Sequence, residues 1–336
     1  MKSPDTIVVG LFLTASTLLN CKPMTHFPLP VHNILVPTDF SDCADHALEH
    51  ALDLAQRFDA AVHILHVVDK LDPGWYGLDE VQESAPQLRK RIRDEARKAL
   101  KARAEDNGLE DEIETHISLQ LSFDVAATIE EYVNERYIDL LVMGTHGRRG
   151  IERMMLGNVA DKVVRHISCP VLTVTERAPW NTGQPVNDVL APIDFSTSSE
   201  QALKVAEQFA DAYDARVHLL FVGEKRAVPT FSDTGLPGIS YMEMDPEIVA
   251  YAEKALLQLH NDAGRENLSV TTAIKHGHAA NQIIDYAESH GVGLIVMATR
   301  GLTGMSHFLL GSPTERAVRA APCPVLTVET EDDEDE

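Results

Sequence analysis

Cysteine is scarce in this sequence and is not placed for joint work. The four cysteines, Cys21, Cys43, Cys169 and Cys323, lie far apart, with no C-x-x-C pair. That excludes a disulfide-dense scaffold and a thiolate metal knuckle, and it fits a reducing compartment. Cys169 and Cys323 each precede Pro-Val-Leu-Thr-Val, where a small buried residue at a strand entrance is the simpler reading than a redox thiol. Basic residues are also in short supply: 29 Lys and Arg face 52 Asp and Glu, a formal net charge of −23. Such a field repels nucleic acid and anionic membrane surfaces over most of the exterior, so no nucleic-acid partner and no membrane partner is expected. Long apolar runs are confined to "TIVVGLFLTASTLL", 14 residues after Lys2, short for a bilayer span but near the length of a signal-peptide core. Cys21 stands where a lipoprotein cysteine would, yet Asn20 precedes it, there is no A-x-A site, and Met24 offers another start. Residues 1–30 are therefore read as a mis-called start or disordered leader, with an export or anchoring signal as the alternative. A cytoplasmic protein is expected.

Catalytic signatures are missing too. No G-x-x-x-x-G-K-[ST] occurs, and "GVGLIV" at 291–296 precedes a strand instead of following one, so it is no dinucleotide fingerprint. There is no nucleophile elbow, no His-Glu-x-x-His and no acid–base pair repeated in both halves. His46 and His50 are four apart on a predicted helix near Asp42 and Asp45, but Gln201 and Val205 stand at the matching positions downstream. The expectation is no metal site and no catalytic residue. The final "EDDEDE", within a tail at 330–336, is a like-charge run and reads as solvated.

What the sequence does have is a repeat. The chain of 336 residues exceeds what one core usually organises, at about one domain per 150 residues. "MGTHGRRGIERMMLGNVADKVVRHISCPVLTV" at 143–174 returns as "MATRGLTGMSHFLLGSPTERAVRAAPCPVLTV" at 297–328. Gly147 and Gly301, Gly157 and Gly311, and Cys169 and Cys323 are each offset by 154, and Asp39 and Asp194 by 155. Two copies of one unit, at 31–176 and 187–329 with a linker at 177–186, account for most of the chain.

Each copy opens with an apolar run, "NILVP" or "DVLAP", then Asp-Phe-Ser, then a helical pattern with apolar residues three and four apart, Ser41 or Ser196 standing at its start. "AVHILHVVD" and "RVHLLFVGE" follow as buried strands, and a variable segment holds Pro73, Gly74, Pro229 and Pro237. The pattern then predicts long helices over 85–106 and 246–263, and strands near "IETHISL" and "SVTTAIK". Helices near 124–135 and 279–290, strands "DLLVM" and "GLIVM", glycine loops, helices from 158 and 312, and strands "VLTV" complete each copy. Alternating strands and helices imply right-handed crossovers and a parallel sheet covered on both faces. The fold class is α/β: two tandem doubly wound domains, each with a five-stranded parallel sheet. In such sheets ligands bind beyond the carboxyl ends of the strands, where strand order reverses. Asp39, Asp194 and the glycine loops all fall at that end.

Small residues in the loop let the main chain approach a ligand or turn through positive φ, and a helix start offers N–H groups and the positive dipole end to a phosphate. A polyphosphate site is one reading; glycines that only shape a turn and a helix entry are the other. The pattern Gly-x2-Gly-x9-Gly-[Ser/Thr], with Asp closing strand one and a final Cys-Pro-Val-Leu-Thr-Val, resembles the universal stress protein family (UspA-like) from about residue 31 to 329.

The resemblance implies a Rossmann-like, UspA-type fold and ATP, with Mg as an accompanying ion, as cofactor. It implies that Asp39 and Asp194 contact ribose or adenine, with Pro37, Thr38, Pro192 and Ile193 beside them. Val67 and Val222 would offer backbone groups to adenine, Met143 and Met297 would line the site, and Gly144, Gly147, Gly157 and Asn158, with Ala298, Gly301, Gly311 and Ser312, would cradle ribose and phosphates. Asn158 departs from the usual Ser or Thr. Pro313 removes one amide donor after Ser312, and the first copy lacks a glycine near 122 that many members carry. The implied role is a stress-response regulatory or protective module, with at most slow ATP hydrolysis. The alternative is an interaction or scaffold module of the same fold without nucleotide. The closing strands at 170–174 and 324–328 are apolar on both faces. Through them the two domains are expected to pair as an intramolecular pseudo-dimer, with a homodimer of whole chains as a further option and the protein partner unknown.

Overall fold

A computed structural model describes residues 31–69, 87, 90, 94, 98, 113–147, 156–175, 186–223, 226–231, 237–242, 246–262, 268–299 and 311–329. The leader with Cys21 and Met24, Pro73 and Gly74, most of the helix expected at 85–106, the linker up to residue 185, Gly301 and the acidic tail lie outside the described residues. The chain divides into two compact units, Met1–Glu176 and Arg177–Glu336. No helix among the described residues is long and apolar enough to cross a membrane.

The first unit runs β1 (Asn33–Pro37), α1 (Asp42–Phe58), β2 (Ala61–Asp69), β3 (Thr115–Ser122), α2 (Val125–Arg136), β4 (Leu140–Gly144), α3 (Asn158–His166) and β5 (Val171–Val174). The second begins with β6 (Asp188–Ile193), α4 (Thr197–Tyr213), β7 (Arg216–Gly223), β8 (Arg226–Phe231), β9 (Pro237–Met242) and α5 (Pro246–Asp262). It ends with β10 (Val270–His276), α6 (Ala279–His290), β11 (Leu294–Ala298), α7 (Ser312–Ala320) and β12 (Val325–Val328). Within the first unit the strand order is β5-β4-β1-β2-β3, and within the second β12-β11-β6-β7-β10, with every pairing parallel. Each unit is thus the expected doubly wound, five-stranded parallel sheet.

The central strands explain why a parallel sheet forms. Ile34, Leu35 and Val36 are consecutive and fully buried, a pattern that suits a strand covered on both faces and not one with a wet side. Burying each such side chain contributes about 1.5–3 kcal/mol before entropy is counted. Helix α1 starts where Ser41 accepts from Ala44 N, at 3.3 Å, with Asp42 and Asp45 at the positive end of the dipole. It buries a face built largely of Ala44, Ala47, Leu48, Ala51, Leu52 and Ala55, small enough to sit close to the sheet. It stops at Asp59, in the left-handed region at φ 55. Ser196 caps α4 in the same way, accepting from Ser199 N at 3.1 Å.

One element was not foreseen. Part of the variable segment forms an antiparallel ribbon, with Arg226 opposite Met242, although it contains Pro229 and Pro237. In a two-stranded ribbon both strands are edges, so a missing N–H is tolerated, and Pro237 opens its strand.

At the amino end of each sheet lies a buried polar chain. In the first unit His63 Nδ1 meets the Tyr132 hydroxyl at 3.1 Å and Nε2 faces Asn33 Oδ1 at 3.3 Å. In the second, His218 Nδ1 meets Tyr286 at 2.9 Å and Nε2 faces Asp188 Oδ1 at 2.7 Å. Burial, then the neighbouring His116 and Arg136, pushes His63 down from 6.5 to about 4. Between pH 6.5 and 4 the unfolded chain takes up a proton at this residue that the folded chain refuses. The stability contributed by a neutral His63 is therefore complete above pH 6.5 and falls as the pH drops through that window. Denaturant unfolding of the first unit at a series of pH values should show this decline, with a slope of at most one proton, and His63→Gln should flatten it.

Candidate functional site

In each unit the chain leaves its first strand toward one neighbour and returns on the other side. β1 lies between β2 and β4, and β6 between β7 and β11. The loops after β1 and β4, and after β6 and β11, therefore face one another across the reversal point at the carboxyl end of the sheet.

The turn after β1 is shaped by its side chains. Asp39 Oδ1 accepts from Ser41 N at 3.1 Å and Thr38 Oγ1 accepts from Phe40 N at 3.0 Å. Phe40 is held at φ 62, and so is Phe195 at the same place in the second unit. An aromatic residue in the left-handed region carries backbone strain of about 1–3 kcal/mol, which the surrounding contacts must hold in place. In the second unit Asp194 Oδ1 accepts from both Ser196 N, at 3.0 Å, and Ser196 Oγ, at 2.5 Å.

The loop after β4 is closed at its root by the main chain. Thr145, fully buried, donates its N–H to Val174 O at 2.9 Å, and its carbonyl accepts from Gly157 N at 2.9 Å. Val174 O also receives the Cys43 thiol at 3.2 Å. The second unit repeats this arrangement with Thr299 N to Val328 O at 3.0 Å and Gly311 N to Thr299 O at 2.9 Å. Gly157 and Gly311 are the N-caps of α3 and α7 and supply no side-chain acceptor, while Asn158 and Ser312 at the first helical positions are exposed. First-turn amides are left without partners inside a helix. Their acidic neighbours Asp161 and Glu315 are engaged by Arg165, at 2.9 Å, and Arg319, at 2.5 Å, which tempers their repulsion of an anion.

Two glycines are required by close approach. A Cβ on Gly147 would stand 2.5 Å from Asp39 Oδ2, so the loop after β4 lies directly against the carboxylate that follows β1. A Cβ on Gly144 would stand 2.8 Å from Cys43 Sγ and 2.9 Å from the Cys43 carbonyl carbon, so the end of β4 is pressed against the first turn of α1. Gly157 has less need, its Cβ falling 3.2 Å from Thr145 O, and Gly311 least, at 3.5 Å from Thr299 O.

Several expectations change in detail. Among the described residues, the loop glycines do not take positive φ; the glycines that do are Gly277 and Gly291. Gly277, at φ 140, matches Phe123, the position where the first copy lacks the glycine looked for near 122. Val67 and Val222 both lie just inside their strands, β2 running on to Asp69 and β7 to Gly223. Met143 and Met297 are 5% and 6% exposed, Pro37, Thr38 and Pro192 are half-buried, and Ile193 and Ala298 are buried. Cys169 and Cys323 are buried at strand entrances, and burial pushes the Cys323 thiol up to about 12, as an inert core thiol requires. Thr145, Cys43 and the left-handed Phe40 were not singled out from sequence. The repeated Asp-Phe-Ser was the available signal for Phe40.

A family model described as the universal stress protein family matches residues 30–175 and again residues 185–329. The chain belongs to the universal stress protein family. A universal stress protein of Methanocaldococcus jannaschii is 37% identical over 141 residues, 42% of this chain and 80% of the relative. One from Bacillus subtilis is 32% identical over 145 residues, 42% of this chain and 98% of the relative. A crystal structure of a universal stress protein from Archaeoglobus fulgidus covers 89% of this chain and 98% of its own, with TM-score 0.65 and 19% identity, a likeness of fold. This universal stress protein therefore carries the family unit in tandem.

The contact between Gly144 and Cys43 yields a direct expectation. Gly144→Ala should destabilise the first unit by about 1–3 kcal/mol, the usual cost of overpacking, measured by denaturant unfolding. Ala298→Gly at the matching position relieves no such clash and should cost no more than the usual glycine penalty of about 0.5–1 kcal/mol.

Proposed function

We propose that this universal stress protein binds an adenine nucleotide, ATP together with Mg, at the carboxyl pole of its domains, and that nucleotide occupancy governs a stress-response regulatory or protective role. The observation that carries the reading is the contact of Gly147 with the Asp39 carboxylate. A carboxylate able to accept from ribose hydroxyls or an adenine amino group is set against a main chain stripped of side chain, beside a helix start whose cap makes no side-chain hydrogen bond. That donor and acceptor set suits a nucleotide: hydroxyls at Asp39 or Asp194, phosphates at the amides following Gly157 or Gly311, with the Asn158 amide or Ser312 hydroxyl as a further donor. Pro37, Thr38, Val67 and Met143 would border the ligand in the first domain, and Pro192, Ile193, Val222, Met297, Ala298 and Gly301 in the second. Mg, held by the phosphates with Asp39 or Asp194 near, would permit at most slow hydrolysis.

A second reading, an interaction or scaffold module without nucleotide, draws on Gly144, whose missing side chain is already accounted for by Cys43. The proposal further includes a cytoplasmic protein in which the two domains, bounded at 31–176 and 187–329, pair through their closing strands as a pseudo-dimer.

Denaturing the purified protein and chromatographing the supernatant should release adenine nucleotide. Calorimetric titration with ATP and Mg should show binding that the double variant Gly157→Val, Gly311→Val loses while its circular dichroism is unchanged. Absence of nucleotide from the purified protein and of any ATP binding in the titration favours the scaffold reading, and undiminished affinity in the double variant overturns the assignment of the phosphates to these loops.

A further inference from the structure

His66 on β2 touches the turn that carries Asp39 on both sides of that residue. On one side its Nδ1 is 2.7 Å from the Thr38 carbonyl oxygen. A carbonyl oxygen only accepts, so Nδ1 carries the proton and the ring tautomer is fixed. On the other side the imidazole lies 4.6 Å, centroid to centroid, from the ring of Phe40, the residue held at φ 62. Phe40 N bonds back to Thr38 Oγ1 at 3.0 Å, so both neighbours of Asp39 are tied to each other and to His66.

The second unit supplies the comparison. Phe221 stands at the position of His66 and Ile193 at that of Thr38. Phe195 keeps the same φ of 62, and its ring lies 5.2 Å from Phe221. Ring support for the strained aromatic is thus present in both units. A ring-borne donor to the carbonyl before the aspartate is available only where histidine stands, since phenylalanine has none.

We propose that His66 is a positioning residue that holds Asp39 in register for a nucleotide through its Nδ1–H bond to the Thr38 carbonyl. The affinity of the first domain then depends on a side chain that has no counterpart donor in the second. The inference rests on the nucleotide reading above. Losing the bond loosens the turn while the aromatic packing remains, so His66→Phe lowers affinity without unfolding the domain, as Phe221 at the matching register already indicates.

The test uses the full chain carrying Gly311→Val, so that ATP with Mg titrates the first domain alone. In that parent, His66→Phe should weaken ATP binding about five- to tenfold, the net worth of one hydrogen bond. His66→Asn, which returns a donor near the place of Nδ1, should recover most of the loss. If His66→Phe alters the circular dichroism, His66→Leu provides the same comparison with His66→Asn. Equal affinity in parent and His66→Phe, or no recovery in His66→Asn, overturns the inference and leaves the nucleotide reading standing. Failure of the Gly311→Val parent to bind ATP overturns the nucleotide reading for this domain, and the inference with it.

Discussion

A parallel strand cannot be joined to its neighbour by a tight hairpin, and from that constraint the rest of each unit follows. The chain must cross over on a helix every time it adds a strand. The first strand, β1 or β6, has neighbours on both sides, so the crossovers on its two sides diverge and open a crevice at its carboxyl end. The aspartate and the glycine loop are brought together because they follow the two strands that border this reversal. In the first unit Gly147 reaches the Asp39 carboxylate although the two are 108 positions apart, and no local pattern would have announced the contact.

The two units keep this frame and vary what is attached to it. At the amino end the His–Tyr pair is retained in both, while its third member is Asn33 in one and Asp188 in the other. At the carboxyl end the left-handed Phe is retained, while its supporting ring is His66 in one and Phe221 in the other. What is held constant is the left-handed turn and the His–Tyr hydrogen bond; the positions that differ alter hydrogen bonding and charge around an unchanged path. A buried polar chain tolerates such exchange only when each member still finds a partner, and the short distances in both versions meet that condition.

The strands and most helices were legible in the sequence because burial imposes a period: uninterrupted apolar runs for strands covered on two faces, spacings of three and four for helices lying on them. Ser41 and Ser196 were legible as caps because capping is local chemistry. The ribbon of β8 and β9 was not, since Pro229 and Pro237 look like breakers until the ribbon's freedom from inner-strand hydrogen bonding is known. The conformational strain was assigned to the glycines, the residues best able to bear it, and is instead found at Phe40 and Phe195. There, packing of one ring on another outweighs intrinsic preference. The need for Gly144 was also hidden, because it comes from Cys43 on a helix that precedes it by most of the unit.

The single main-chain clasp between Thr145 and Gly157, repeated between Thr299 and Gly311, separates the sheet from whatever chain is spliced between its ends. Because the clasp fixes where the excursion departs and where it rejoins, residues beyond Gly147 can differ between the copies without shifting a strand, much as an interchangeable insert fits a fixed socket. The sequences bracketed by the two clasps, "HGRRGIERMML" and "RGLTGMSHFLL", already differ in charge and bulk over most of their length.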